Sequence, residues 1–137
     1  MCASAACASR QSDLPPLDRP LRVVSAWARA ADSGTTGGAY VSVTNTDSVP
    51  VVITSVSSTG AQSAELHESM VHDGMVHMTA RPSLRIARDS TLSMTAGGLH
   101  VMLNGLTRAL TLGDSLTVTF VLEDGRSVPV RVPVRAP

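Results

Sequence analysis

The sequence has few thiols and few aromatic side chains, and each shortage excludes a class of protein. Its two cysteines, Cys2 and Cys7, lie near the N-terminus, so a disulfide framework and a thiolate metal site within the domain are excluded. Trp27, Tyr40 and Phe120 are the only aromatic residues. Because the formal net charge is also zero and no basic run occurs, the sequence offers nucleic acid neither a stacking surface nor an electrostatic footprint.

Long apolar runs are missing as well. No stretch of about 18 apolar residues occurs, so the sequence predicts no transmembrane helix. The N-terminus also lacks the apolar core of a signal peptide. Residues 1–20 are small, polar and rich in proline, and we expect a flexible tether from which an export signal has been removed or is absent. Cys2 is a candidate for lipid attachment, which would be the only contact of the protein with a membrane.

Residues 21–135 are predicted to form one all-β domain. Runs such as AYVSVTNT and PVVITSVSS alternate in polarity or are rich in β-branched residues, as half-buried strands are. Turn signals separate eight or so of these strands, and no segment has convincing helical periodicity. The pattern is typical of a Greek-key β-sandwich.

Two details of the predicted strands depend on single residues. The first strand, LRVVSAWARA, alternates in part, and this places Val23, Ser25 and Trp27 on one face. Near the C-terminus, Pro129 and Pro133 cannot donate backbone hydrogen bonds to a neighbouring strand. The last strand is therefore predicted to lie at a sheet edge.

What the sequence has in excess is histidine and methionine between residues 67 and 102. This stretch holds all the histidines and every methionine except the first: His67, His72, His77, His100, Met70, Met75, Met78, Met94 and Met102. Neutral imidazole and thioether are soft-to-borderline donors, and thioether selects Cu(I). No acidic cluster accompanies them, which disfavours calcium and magnesium. The composition therefore favours a Cu(I) site.

The first half of this stretch is predicted to be a β-hairpin. Segments AELHESM and GMVHMTA flank the turn residues HDG. A four-residue loop would place His67 directly opposite Met78, whereas a tighter Asp73-Gly74 turn would place them on a diagonal. Both registers keep the two side chains on one face of the hairpin, because they differ by two residues.

The second half of the stretch supplies two more donors that share one face of a strand. His100 and Met102 are two residues apart on a predicted strand, so their side chains share a face. Docking of this strand against the hairpin would gather two imidazole nitrogens and two thioether sulfurs. The Gly97-Gly98 pair before it is either a bulge that turns the strand toward the hairpin or an ordinary loop.

The remaining histidines and methionines have simpler interpretations. Met94 is predicted to fill the core. Met70 and Met75 are expected beside the site, where they either pack or assist metal loading. His72 is interpreted as a solvated turn residue, and His77 is expected on the opposite face of the hairpin, in a structural or surface role.

The ligand candidates His67, Met78, His100 and Met102 follow the pattern H-x10-M-x21-H-x-M, with which the chain resembles the periplasmic copper chaperone family PCu(A)C. The segments AWARA, GAYVSVTN, ELHES, GMVHM, GGLHVMLNGL and LGDSLTVTF match as well, so the resemblance covers roughly residues 21–134. It implies a cupredoxin-like β-sandwich that binds Cu(I) through these two histidines and two methionines. It also implies delivery of copper to the CuA centre of cytochrome c oxidase.

Chemistry and resemblance together predict a monomeric, non-enzymatic copper carrier that is periplasmic or otherwise extracytoplasmic. It would contact a CuA-bearing oxidase subunit transiently. A domain without cysteine suits an oxidising compartment, and it cannot be a blue-copper electron carrier, which needs a cysteine ligand. The alternatives are a copper scavenging or resistance protein without a dedicated acceptor, and a copper redox enzyme. Some relatives have a His/Met-rich C-terminal extension that adds Cu(II) capacity, and because this chain has none, we expect no second site of that kind.

Overall fold

The computed structural model describes residues 21–136, and the expectations for the tether and for Cys2 lie outside this range. The strands are β1 (Leu21–Arg29), β2 (Gly37–Asn45), β3 (Val51–Ser58), β4 (Ala61–His72), β5 (Met75–Ala80), β6 (Leu84–Ile86), β7 (Thr91–Leu92), β8 (Leu99–Leu106), β9 (Ser115–Leu122) and β10 (Ser127–Arg135). The predicted all-β class is confirmed. Two very short strands, β6 and β7, bring the number above the eight or so expected. None of the described residues forms a helix long and apolar enough to cross a bilayer.

The strands form two layers around one core, which confirms the predicted cupredoxin-like β-sandwich. One layer has the order β5-β4-β8-β2-β1, with β7 beside β2, and the other has the order β10-β9-β3-β6. The layers are joined where β1 runs parallel to β10, at Ala28 and Val134. Residues of most strands point into the core, which removes their apolar surface from water, whereas all of β5 is exposed. The largest fully buried side chains include Phe120, Leu21, Ile53, Leu103 and Leu110.

A bulge in β1 corrects the predicted alternation of that strand. Val23 pairs with Val43, but Ser25 pairs with Ser42, so the register shifts between them. An extra residue at a bulge reverses the alternation. Ser25 and Trp27 share a face as predicted, whereas the prediction is wrong for Val23, which lies on the other one.

The position of β10 corrects the prediction of an edge strand. β10 lies between β9 and β1 in the strand order. Its contact with β1 is limited to Val134 and Arg135, whereas Pro129 and Pro133 lie in the part that pairs with β9 alone. The prolines therefore indicated correctly where a neighbour is missing. They did not predict the position of the whole strand, because a proline removes only its own backbone N–H, and β10 can still pair with β1 beyond Pro133.

Candidate metal centre

The predicted ligands lie on three adjacent strands, β5, β4 and β8. A two-residue turn joins β4 to β5, and Asp73 (φ 55°) and Gly74 (φ 78°) both have the positive φ of a type I′ hairpin. The tighter of the two predicted registers is therefore confirmed. Met78 pairs with Ser69, which puts Met78 diagonal to His67 and on the same face.

The two histidines are direct neighbours across β4 and β8. His67 pairs with His100, and their ring centroids are 6.2 Å apart. Met102 follows two residues after His100 and thus projects from the same face. Leu66, which precedes His67, and Val101, which lies between His100 and Met102, point the other way and are buried in the core. All the predicted ligands therefore lie on the outer face of this layer, and their function as ligands stays a prediction.

His67 has an unusual environment for a polar side chain. The side chain is 15% exposed, and both ring nitrogens are buried without a hydrogen-bond partner. The carboxylate oxygen of Glu65 lies 3.8 Å from Nε2, which is too far for a hydrogen bond. A buried polar group in this state costs about 1–3 kcal/mol, and most such groups in proteins have a partner. A bound metal ion would supply one.

The ring of His100 is held in a defined orientation. It is 6% exposed, and its Nδ1 lies 3.0 Å from the carbonyl oxygen of Gly98. Because a carbonyl only accepts, Nδ1 donates and the lone pair of the neutral ring is on Nε2. The same carbonyl accepts a hydrogen bond from the backbone N–H of Ser69 in β4, at 3.0 Å. A single loop carbonyl therefore ties β4 to the imidazole of β8, in the manner of a partner that orients a metal ligand.

Tyr40 and Trp27 extend the row of rings across the sheet, and the sequence analysis did not assign Tyr40 to the site. The ring centroid of Tyr40 is 6.3 Å from that of His100 and 4.7 Å from that of Trp27. The guanidinium carbon of Arg29 lies 6.0 Å from the ring centroid of Trp27 and 5.9 Å from that of Tyr40. The alternation in AYVSVTNT, which sets Tyr40 opposite the core valines, is the signal that could have found it.

The donor set fits a soft metal ion. Across residues 21–136, no three His, Cys, Asp or Glu side chains come together as metal ligands. A metal bound by the two imidazoles would therefore need the thioethers, and this combination selects Cu(I). Met78 is 56% exposed, so the site is open to solvent on the β5 side.

Comparisons with known proteins agree with this fold. A family model described as "Putative lipoprotein LpqE-like" matches residues 21–134. The protein described as "Putative lipoprotein Lxx21020" of Leifsonia xyli subsp. xyli is 39% identical over 116 residues, which is 84% of this chain and 69% of that protein. The family match therefore includes every strand, with only the last residue of β10, Arg135, outside it.

Solved structures of two other proteins have the same architecture. The copper-bound PCuAC domain from PmoF2 superimposes with a TM-score of 0.69 at 24% identity, over 86% of this chain and 94% of that one. The solution structure of apo-DR1885 from Deinococcus radiodurans gives 0.65 at 28% identity, over 90% and 88% of the two chains. A solution structure of CuI-DR1885 gives 0.61 at 29% identity, over 93% and 85%.

The resemblance inferred from the sequence is thus confirmed by an independent family match and by the fold. The family match covers nearly all of the described residues, and the similar structures are PCuAC domains and a copper-bound relative. The chain belongs to the LpqE-like family, and its fold is that of the PCuAC domains.

Proposed function

We propose that this protein is an extracytoplasmic, non-enzymatic carrier of Cu(I). One ion would bind among His67, Met78, His100 and Met102. The observation that carries the proposal is the imidazole pair, in which His67 has two buried nitrogens without a partner and lies 6.2 Å from the ring of His100. Two imidazoles and two thioethers are all neutral, so they hold Cu(I) without the charge of a thiolate.

The relatives support copper as the cargo and a location outside the cytoplasm. The PmoF2 domain is described as copper-bound and DR1885 as a CuI form. The family and the Leifsonia protein are described as lipoproteins, which supports an N-terminal lipid anchor with Cys2 as the modified residue. The lack of thiols after Cys7 also suits an oxidising compartment.

The exposure of the site supports release of the ion to another protein. Met78 is 56% exposed, whereas His100 is 6% exposed, so an acceptor would approach from the β5 side. A thiolate-containing acceptor offers softer, charged ligands, so transfer from neutral donors is favourable. We propose the CuA-bearing subunit of cytochrome c oxidase as this acceptor, contacted transiently by a monomeric carrier.

Cu(I) is expected to stabilise the folded chain. The ligands come from three strands that separate on unfolding, so the ion binds the folded state selectively. At a free Cu(I) concentration a hundred times the dissociation constant, the free energy of unfolding should rise by about 2.7 kcal/mol. Anaerobic denaturation with and without Cu(I) measures this rise, and the His67→Ala/His100→Ala variant is the control that should lose the part of it that comes from this site. An unchanged midpoint for the wild type in excess Cu(I) would refute the site.

A dedicated carrier is expected to transfer copper faster than passive exchange allows. Mixing the Cu(I)-loaded chain with a soluble CuA domain should fill the acceptor faster than a small-molecule Cu(I) complex of equal affinity does. The absorbance of the assembled CuA centre follows the reaction after oxidation. Equal rates would instead identify a scavenging or resistance protein. Sustained superoxide removal or substrate oxidation by the loaded chain would identify a redox enzyme.

A further inference from the structure

The tip of the β4–β5 hairpin carries a second group of two histidines and two methionines. Met70 pairs with His77 and His72 pairs with Met75, with one residue pair between them. Alternate residue pairs of a hairpin share a face, so these side chains lie together on the face opposite the candidate ligands of the first site. The ring centroids of His72 and His77 are 6.3 Å apart, with an angle of 62° between the ring planes.

Core packing does not explain this group. Met70 and Met75 are 50% and 64% exposed, and the side chain of His72 is 79% exposed. An exposed cluster of large apolar side chains usually marks a binding site of some kind. Here each strand contributes one imidazole and one thioether, so the cluster offers two imidazoles and two thioethers from two adjacent rows.

We propose that Met70, His72, Met75 and His77 form a second Cu(I) site at the hairpin tip. Directly opposed side chains in a hairpin have Cβ atoms about 4.5–5.5 Å apart, which lets both rows reach one ion above the ribbon. Thioethers select Cu(I), and the absence of a thiolate leaves the ion exchangeable. Nε2 of His72 lies 3.3 Å from the Asp73 carboxylate, which suits an orientation of the ring that leaves Nδ1 for the metal.

The second site differs from the first in burial, so its affinity is expected to be lower and its exchange faster. None of its donors is shared with the first site, and the proposal therefore does not depend on the proposed carrier function. It also differs from the Cu(II) capacity of a C-terminal extension, because its residues lie on β4 and β5.

The test is an anaerobic titration of the full chain with Cu(I), in which methionine methyl and histidine ring signals are followed by NMR. The wild type is expected to bind two equivalents, and the second should shift the methyls of Met70 and Met75. Replacing both with leucine (Met70→Leu/Met75→Leu) keeps exposed side chains of similar size and should reduce the stoichiometry from two to one. The matched control is Val71→Thr/Val76→Thr, on the other face of the same hairpin, which should still bind two.

The outcomes separate the two sites. Saturation of the wild type at one equivalent with unmoved Met70 and Met75 methyls overturns the second site, as does a second equivalent that persists in the leucine variant. The His67→Ala/His100→Ala variant should keep the hairpin equivalent alone. If it still binds the same number of equivalents as the wild type, the first site fails, while the shifts of Met70 and Met75 decide the hairpin site separately.

Discussion

Replacing His67 and His100 together with alanine is expected to lower the affinity of the first site for Cu(I) by roughly 10³-fold or more. Changes to residues that only orient a metal ligand already cost about 10–100-fold. This variant removes two ligands, so the loss must be larger. A competition titration with a Cu(I) chelator of known affinity, under anaerobic conditions, measures the change.

The same variant should remain folded without copper, which gives the prediction a second readout. His67 contributes two buried nitrogens without partners to the apo protein, and removing them relieves an unfavourable burial of about 1–3 kcal/mol each. This gain offsets the packing lost on truncation. We therefore expect the free energy of unfolding of the apo protein to change little, although the stabilisation that Cu(I) gives through the first site is lost.

His72→Ala/His77→Ala is the matched control, because it also removes two imidazoles from the same hairpin region. Its affinity for the first equivalent of Cu(I) should equal that of the wild type, since these rings lie on the opposite face. A similar loss in both variants would mean that histidines hold Cu(I) without a defined site. Full affinity in the His67→Ala/His100→Ala variant would refute the assignment of the ligands.

The spacing of the candidate ligands predicted which face they share but not the environment they meet there. Parity along a strand places His100 with Met102, and both hairpin registers place His67 with Met78. The direct pairing of His67 with His100 depends on how β8 docks against β4, which local spacing does not determine. The bond from His100 to the Gly98 carbonyl also depends on a loop conformation. Burial and orientation are therefore properties of the assembled sheet.

The alternation of side chains between the two faces of the hairpin correctly predicted the position of His77. His77 was expected on the opposite face, and the register confirms this. The same parity places Met70, His72 and Met75 beside it, so the expectation that Met70 and Met75 lie beside the first site is wrong. His72 was assigned to the turn, whereas it is the last residue of β4 and its side chain is 79% exposed as expected. Because the turn consists of only Asp73 and Gly74, His72 pairs with Met75 and belongs to β4.

The strands themselves were predictable because polarity alternates along most of them. Which strands pair with each other was not predictable from this pattern. The bulge between Val23 and Ser25 depends on the residues of β2 that β1 meets. Likewise, β10 lies beside β1 because the two layers join there, which no feature of the prolines reveals. Local pattern determines which residues form a strand, and long-range packing determines where that strand lies.

Asn45 shows the same limit, and its replacement by alanine is expected to lower the free energy of unfolding by about 3–4 kcal/mol. The residue is fully buried at the end of β2. Its Nδ2 donates to the carbonyls of Val49 and Ile86 at 2.9 and 3.0 Å, and its Oδ1 accepts from the Asp47 N–H at 2.8 Å. Each bond contributes about 0.5–1.5 kcal/mol, and a buried carbonyl left without a donor adds about 1–3 kcal/mol. Chemical denaturation measures the loss.

Asn104→Ala is the control for the type of residue, because Asn104 is also a strand asparagine, but it donates to side chains instead of to backbone carbonyls. Its partners are the hydroxyl of Ser63 and the carboxylate of Glu65, in an exposed environment where water can replace it. We expect a loss below about 1 kcal/mol. Asn45→Ala should leave the Cu(I) affinity of the folded fraction unchanged, because Asn45 lies at the far end of β2, six residues beyond Ala39, the last β2 residue that pairs with β8. A loss that is equal in both variants would contradict the role of burial, and reduced affinity after Asn45→Ala would mean that the turn after β2 also positions the site.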